Sequence, residues 1–394
     1  MDDRNTKKQK SSVKKAIGPE AFIFLICFLG FFFLIGRKMG MVNMINTLMN
    51  SGFDLIVNTC LYIMAVAVIA GALGSLFSEF GVVSLINKIL SPLMRPLWGL
   101  PGAASLGIVT TYLSDNPAIL TLANETNFRV YFKKYQLPAL TNLGTAFGMG
   151  AIVTTFVIGL RGPSGESFVR AALIGNLGAV IGSIVSTRLM LLQTGKIYGK
   201  ADMCDVPFGG AEVDEKHRVV RSGSVGIRFI DAMLDGGKAG VDMGMAIIPG
   251  VVIICSMVLM LTNGPSADGT YTGAAYEGVA LLPWLAGKIS PILNAIFGFT
   301  SSECIAVPVT ALGSAGAAIS LIPQLIENGQ ATGTDVAVFT AMCMCWSGYL
   351  STHVAMMDSL KCKELVGKAI LSHTIGGIAA GFSAHWLYVL ISLL

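Results

Sequence analysis

Residues 91–100 read Ser91-Pro92-Leu93-Met94-Arg95-Pro96-Leu97-Trp98-Gly99-Leu100, and residues 290–299 read Ser290-Pro291-Ile292-Leu293-Asn294-Ala295-Ile296-Phe297-Gly298-Phe299. A shift of 199 residues lays Ser91 on Ser290 and carries Trp98-Gly99-Leu100 onto Phe297-Gly298-Phe299 without a gap. The same shift sets Leu113 on Leu312 and Ala118 on Ala317. Upstream, Gly52-Phe53-Asp54-Leu55 matches Gly240-Val241-Asp242-Met243 once the longer Asn263–Ala275 loop is allowed for. Matches that recur in order mark an internal repeat, and the repeat decides the architecture.

Each half holds the same parts. A short amphipathic stretch (Met44–Asn50; Ile227–Leu234) leads into a spanning helix (54–77; 243–262). A shorter helix closed by a Ser-Pro step follows (81–96; 279–297), then a helical hairpin (97–127; 298–327). Two spanning helices finish each half (138–160 and 167–192; 335–357 and 366–393). The hairpin arms are too short to cross a bilayer, which takes about 20 apolar residues. The first breaks at Ser114-Asp115-Asn116-Pro117 and the second at Gly313-Ser314-Ala315-Gly316. Short apolar arms with polar, Pro- or Gly-rich tips predict re-entrant hairpins, whose freed backbone groups survive only against protein or a watery cavity.

Composition places these helices in a membrane. Of 394 residues, 53% are hydrophobic and 13% charged, and the mean hydropathy is +0.69. A soluble domain carries about a quarter charged residues. Runs such as Leu61–Leu73 and Val251–Leu261 do not alternate, which excludes a membrane β-barrel. The net charge of +4 leaves no footprint for nucleic acid. The eight cysteines show no CxxC pair or metal-ligand spacing and read as inert thiols in apolar runs.

Residues 1–19 form a basic tail with Arg4, Lys7, Lys8, Lys10, Lys14 and Lys15, expected in the cytoplasm. The apolar run Ala21–Ile35 ends at Gly36-Arg37-Lys38 rather than at a small-residue cleavage site, so 20–43 reads as a retained transmembrane helix. With repeat 1 at 44–192, a cytoplasmic linker at 193–226 and repeat 2 at 227–394, each half makes three crossings and the second is inverted. Segments then assigned to the inside carry 20 Lys/Arg against 3 outside, as the positive-inside rule demands. Inverted repeats with broken helices are a signature of secondary transporters. The fold class expected is an all-α polytopic membrane protein, an inverted-repeat secondary-transporter-like fold with two re-entrant hairpins.

The paired segments Ser91–Leu106 and Phe299–Pro308 resemble the transporter gate, or nucleoside-recognition, domain. That domain is similar to the hairpin regions of concentrative nucleoside transporters and occurs in spore maturation proteins A and B and in the membrane part of ferrous iron transporter B. The chain resembles two such halves fused. The resemblance implies a multi-pass protein of the bacterial inner membrane, a homo-oligomer, and a small-molecule substrate gripped by the hairpin tips and their partner helices. Carried over by position, the first tip is Ser114, Asp115 and Asn116 and the second is Ser314, with Thr300, Ser301, Ser302 and Glu303 opening the second hairpin. The Gln-Ser-Glu-Ala-Pro run of the nucleoside transporters is missing from the first hairpin.

Among polar residues in apolar surroundings, Glu303 has no charge nearby in sequence and reads as a pathway or coupling residue. Asp115 reads the same way or as a cap of the following helix. Asn142 and Thr145 on the helix after the first hairpin, and His353 on its counterpart, offer substrate contacts or bonds between helices. An imidazole can also titrate near neutral pH. Glycine pairs Gly144/Gly148 and Gly178/Gly182 predict close helix packing. These features point to a secondary transporter of a small polar organic solute (nucleoside, amino acid or peptide-like) in the lipid bilayer. A proton or sodium gradient would drive it, and no cofactor is expected. A non-transport membrane scaffold of the spore-maturation type is the alternative. No nucleophile–base or metal-ligand constellation suggests an enzyme.

Overall fold

The computed structural model describes residues 16–116, 118–119, 123, 129, 131–204, 220–266 and 268–393. The described chain is built of α-helices, with only two isolated β-bridges. Helix α1 (Pro19–Met39) turns at Gly40 into α2 (Met41–Glu79), and α1 leaves Phe22, Ile23, Phe24, Ile26 and Leu29 exposed, as a lipid-facing helix does. Then follow α3 (Val82–Leu93), α4 (Ala104–Leu113), α5 (Ala139–Thr145), α6 (Gly150–Gly159) and α7 (Val169–Tyr198). The second half repeats the order: α8 (Val225–Thr262), α9 (Leu281–Lys288), α10 (Ser290–Phe297), α11 (Ser302–Ala311), α12 (Ala315–Glu327), α13 (Gly333–Cys345), α14 (Tyr349–Ser359) and α15 (Val366–Ser392). The basic tail up to residue 15, most of the second arm of the first hairpin and linker residues 205–219 lie outside the described residues.

Equivalent helices of the two halves cross each other in opposite directions. Along α2 and α8, Gly71 meets Gly236, Ala67 meets Gly240 and Met64 meets Gly244, so residue numbers rise on one helix as they fall on the other. Along α7 and α15, Gly178 meets Ala384, Gly182 meets Ala380 and Ser186 meets Gly376. A Cβ added to Gly182 would stand 2.6 Å from the Gly376 carbonyl oxygen. Only glycine lets two helix backbones approach so closely, as small-residue packing in membranes requires. Antiparallel contact of equivalent helices is what an inverted repeat produces. The packing expected of Gly178 and Gly182 is the packing observed.

Several boundaries differ from expectation, each for a local reason. The amphipathic stretches are not separate pieces. They begin the unbroken helices Met41–Glu79 and Val225–Thr262, which absorb an extra residue in π-helical turns at Leu55–Cys60 and Val251–Cys255. Those turns set Cys60 against Cys255, a shift of 195 where Gly52 on Gly240 had given 188. The seven-residue difference is about two helical turns, which preserves the apolar face and explains the misread register. The Ser-Pro steps do not close helices either. Pro92 lies inside α3, which runs on into a π turn at Met94–Trp98, whereas Pro291 sits in the first turn of α10, where its missing N–H is no loss.

The largest correction concerns the helices that follow the hairpins. Neither 138–160 nor 335–357 is continuous. The first stops at Thr145 and resumes at Gly150; the second stops at Cys345 and resumes at Tyr349. Met149 and Gly348 hold φ of 56° and 67°, and the 199-residue shift superposes them. A left-handed residue cannot continue a right-handed helix, so each ladder is cut at the same place.

The hairpins close at their bases by equivalent bonds. Gln136 Nε2 donates to the Gly99 carbonyl (3.1 Å), and at the position related by 199 residues Asp335 accepts from the Thr300 amide (2.9 Å). Helix α4 has ten residues, a length of about 15 Å against a hydrocarbon core of about 30 Å. Helices α10 and α11 bend by 73° at the mouth of the second hairpin.

Candidate functional site

The two hairpin tips meet the two helix breaks in the interior. At the first tip Asn116 is buried. Its Nδ2 donates to the Ser347 carbonyl (2.7 Å), and the one hydrogen of the Ser347 hydroxyl is shared between Asn116 Oδ1 (2.9 Å) and the Thr145 carbonyl (3.1 Å). Thus one hairpin, the end of α5 and the gap between α13 and α14 share a polar knot that joins the repeats. The Thr145 carbonyl, at the end of α5, also accepts the Gly148 amide (3.2 Å). Gly148 makes room, since any Cβ at that position would collide with the Asn116 amide and the Ser347 hydroxyl.

The second tip docks by its backbone. The Gly348 amide donates to the Ala311 carbonyl (2.9 Å), and a Cβ on Gly348 would stand 2.9 Å from the Gly313 carbonyl oxygen. Ser314 caps the short helix after the tip by accepting from the Ala317 amide (3.2 Å). At the first tip the equivalent Asp115 accepts from the Asn116 amide (2.7 Å). Asp115 is half-buried, and Ser114 is exposed and donates to the Thr110 carbonyl (2.6 Å).

Two clefts open along α2 and α8, one toward each end of their crossing. One, of about 350 Å³, runs past Gly71, Gly74, Asp235 and Gly240 and reaches Ser114. The other, of about 430 Å³, is lined by Asp54, Asn58, Tyr62, Tyr276, Gln324 and Glu327 and flanks the second hairpin. Within it the Tyr276 hydroxyl donates to Asp54, and Asn58 Nδ2 donates to the same carboxylate (2.7 Å). The π turn Leu55–Cys60 forms part of this second wall, a common place for such distortions.

Of the residues singled out from sequence, Ser114, Asp115, Asn116, Thr145 and Ser314 gather at tips and breaks. Asn142 is buried one turn away and committed to bonding helices: its Nδ2 donates to Ser186 Oγ and to the Ala369 carbonyl, both at 3.0 Å. His353 is buried on α14, beyond the break. Thr300, Ser301, Ser302 and Glu303 stand apart, at the base of the second hairpin. Thr300 serves the base itself, since Asp335 accepts from its amide and hydroxyl and from the amide and hydroxyl of Thr332. Ser301 and Ser302 line a small recess beside Asn294. Glu303 is half-buried, with the Ser302 hydroxyl donating to it at 3.3 Å.

Sequence reasoning placed Ser347 only among the counterparts of Asn142 and Thr145, open between solute contact and helix bonding, gave Gly348 no role and assigned Gly148 to helix packing. The available signal was a small residue after an aromatic at both places, Phe147-Gly148-Met149 and Trp346-Ser347-Gly348 under the same shift.

No protein-family model matches the chain, and no curated protein matches it by sequence. Solved structures of the concentrative nucleoside transporter CNTnw do match in fold. Its inward-facing, substrate-bound form is 14% identical over 93% of this chain and 85% of that one, with a TM-score of 0.54. A variant in an intermediate state is 14% identical over 94% and 85%, with a TM-score of 0.53. A variant in an outward-facing state is 13% identical over 93% and 85%, with a TM-score of 0.51. The chain therefore has an all-α polytopic membrane fold of the transporter class. The nucleoside-transporter side of the sequence resemblance is the side that fold bears out.

Proposed function

We propose that the protein is a secondary active transporter of a small polar organic solute, driven by a proton or sodium gradient. One observation carries this reading. Two polar hairpin tips abut two interrupted helices from opposite repeats, and a cleft along α2 and α8 reaches the first tip at Ser114 while another flanks the second hairpin. Interrupted helices leave backbone donors and acceptors free at mid-membrane, where solute and coupling ion bind in such folds. Asp115, Asn116, Ser314 and Ser347 would touch the solute, and nucleosides, amino acids and peptide-like molecules suit their hydrogen-bonding chemistry. Parting Asn116 from Ser347 on one side and Gly348 from Ala311 on the other would expose the centre alternately. The protein would lie in a bacterial inner membrane with its N-terminus in the cytoplasm and would work as a homo-oligomer.

The test is a thermal-stability and uptake panel on protein reconstituted in liposomes. Nucleosides, nucleobases, amino acids, short peptides and organic acids would be tried with and without sodium at two pH values. A solute at 100 times its dissociation constant stabilises the folded state by about 2.7 kcal/mol, so a ligand is visible before its flux is measured. Saturable uptake that fails in Asp115→Asn, with the melting temperature retained, supports the assignment. A flat panel in both assays overturns it.

A further inference from the structure

We propose that His353 is the proton-binding site of the cycle, with its Nε2 atom taking the proton. This rests on the transporter reading and names its coupling ion. His353 lies on α14, one turn past the break, and is 0% exposed. Its Nδ1 stands 3.0 Å from the Tyr349 carbonyl oxygen. A carbonyl only accepts, so Nδ1 carries the hydrogen and Nε2 presents a bare lone pair. Among the described residues nothing hydrogen-bonds to that Nε2. Buried polar atoms are nearly always paired, and the exceptions call for a function.

A second imidazole beside it shows what a purely structural histidine looks like in this core. The His373 ring centroid lies 4.7 Å from that of His353. His373 Nε2 donates to the Cys345 carbonyl, so Nδ1 must accept the Ser186 hydroxyl (2.9 Å), whose oxygen in turn accepts Asn142 Nδ2 (3.0 Å). Every bond in this chain points one way, and a proton on His373 Nδ1 would reverse its bond to Ser186 and turn the hydroxyl hydrogen away from the ring. One imidazole is locked by three helices and the other has a nitrogen to spare.

The surroundings define the stoichiometry. Among the described residues the titratable groups against the His353 ring are Tyr349 on its own helix and His373 on α15, and the short turn Lys363–Leu365 that also packs on α14 carries Lys363 and Glu364. Tyr349 is engaged through its hydroxyl with Thr374 (2.6 Å), and α5, which packs on α14, contributes none. Two imidazolium rings at this separation repel, so the site takes one proton. In the binding step the Nε2 lone pair forms an N–H bond, the Nδ1–H stays on the Tyr349 carbonyl, and the site gains one positive charge. An unpaired buried charge is expensive. Protonation therefore favours arrangements that bring α14 toward water. Ser347, which holds the first hairpin through Asn116, lies just upstream of the same helix. That connection turns proton binding into release of the hairpin.

The test needs no solute. Protein labelled with nitrogen-15 histidine in lipid nanodiscs would be titrated from about pH 8 down to about pH 4, through and below the range in which free imidazoles switch, because burial disfavours the charged form, with choline in place of sodium. The His353 signals are identified by their loss in His353→Gln. The expected result is that His353 Nε2 shifts from a lone-pair to an N–H position as the pH falls, while His373 Nδ1 does not. Proteoliposomes adsorbed on a sensor membrane should give a charge displacement on a pH jump that His353→Gln loses. A His353 Nε2 that stays unprotonated throughout overturns the proposal, as does an undiminished displacement in a folded His353→Gln. Saturable uptake indifferent to a proton gradient would overturn it while leaving the transporter reading standing. If His353→Gln fails to fold, His217→Gln, His373→Gln and His385→Gln assign the other three histidines and the remaining wild-type signal decides.

Discussion

The two helix breaks occupy equivalent positions, yet they are held by different chemistry. Around the break at Ala146–Met149 the partner is a side chain, Asn116, which fills the space over Gly148 and reaches across to Ser347 in the other repeat. The break of Trp346–Gly348, besides receiving Asn116 at Ser347, has a backbone partner from its own repeat, with Gly348 bonded to Ala311 and pressed on Gly313. A side-chain latch can rotate away without moving a helix; a backbone contact cannot. The comparison assigns the first hairpin the weaker, cross-repeat contact and the second the stiffer one.

The sharpest way to break the comparison is to add one methyl group to each side. Gly348→Ala combines a left-handed φ with a clash against a carbonyl that has nowhere to go, and the expected loss is roughly 2–3 kcal/mol. It would be read as a large fall in melting temperature in detergent. Gly148→Ala meets the side-chain ends of Asn116 and Ser347 and no backbone, so the loss should be about 1 kcal/mol. Its signature is faster amide exchange at residues 114–116 with the remaining helices still protected. Equal losses at the two glycines would erase the distinction.

A double-mutant cycle measures the latch itself. Asn116→Ala and Ser347→Ala should couple by about 0.5–1 kcal/mol, the scale of hydrogen bonds between membrane helices. Additive effects would mean the knot contributes nothing to stability.

The smallest expected effect concerns a segment found in one half only. Between α8 and α9 the chain makes a long loop over Asn263–Ala280, where the first half has only Phe80-Gly81 between α2 and α3. Asn43 and Asn50 donate to its Tyr271 and Gly273 carbonyls, pinning it onto α2. Inside it, burial pushes the Glu277 carboxyl up, but hydrogen bonds from Ser266, Thr272 and Gly273 more than offset that and leave it below its ordinary value. A lowered carboxyl contributes stability that is present above its unfolded value, about 4.3, and lost as pH falls through the folded one. Amide exchange in residues 268–280 should therefore rise in acid for the wild type and be already raised at neutral pH in Glu277→Gln. An unchanged neutral-pH rate in that variant would show that the pins to α2 suffice.

Much of this was legible in the chain. The 199-residue shift carries through the structure, from Gly99 and Gly298, both left-handed, through Gln136 and Asp335 at the hairpin bases, to Met149 and Gly348. The tips were legible because Asp115-Asn116 and Gly313-Ser314 interrupt apolar runs that have no other reason to be polar. The depth of Glu303 was not legible. A carboxylate in an apolar stretch looks deep, but the bend between α10 and α11 leaves it half-buried at the hairpin base. The breaks themselves were hidden, because Phe147-Gly148-Met149 is compatible with a continuous apolar helix and only a contact elsewhere makes a left-handed methionine tolerable.

Local chemistry in the sequence determined the helical class, the duplication, the opposed orientation of the halves and the polar tips. Apolar periodicity, glycine spacing and charge bias act within a segment and need no partner to be read. Tertiary structure alone decided where two helices stop, that Asn116 answers Ser347, and that His353 keeps an open nitrogen while His373 has none. Those outcomes depend on groups some 20 to more than 200 positions apart satisfying one another in an interior without water, where each donor and acceptor takes the partner that folding brings to it.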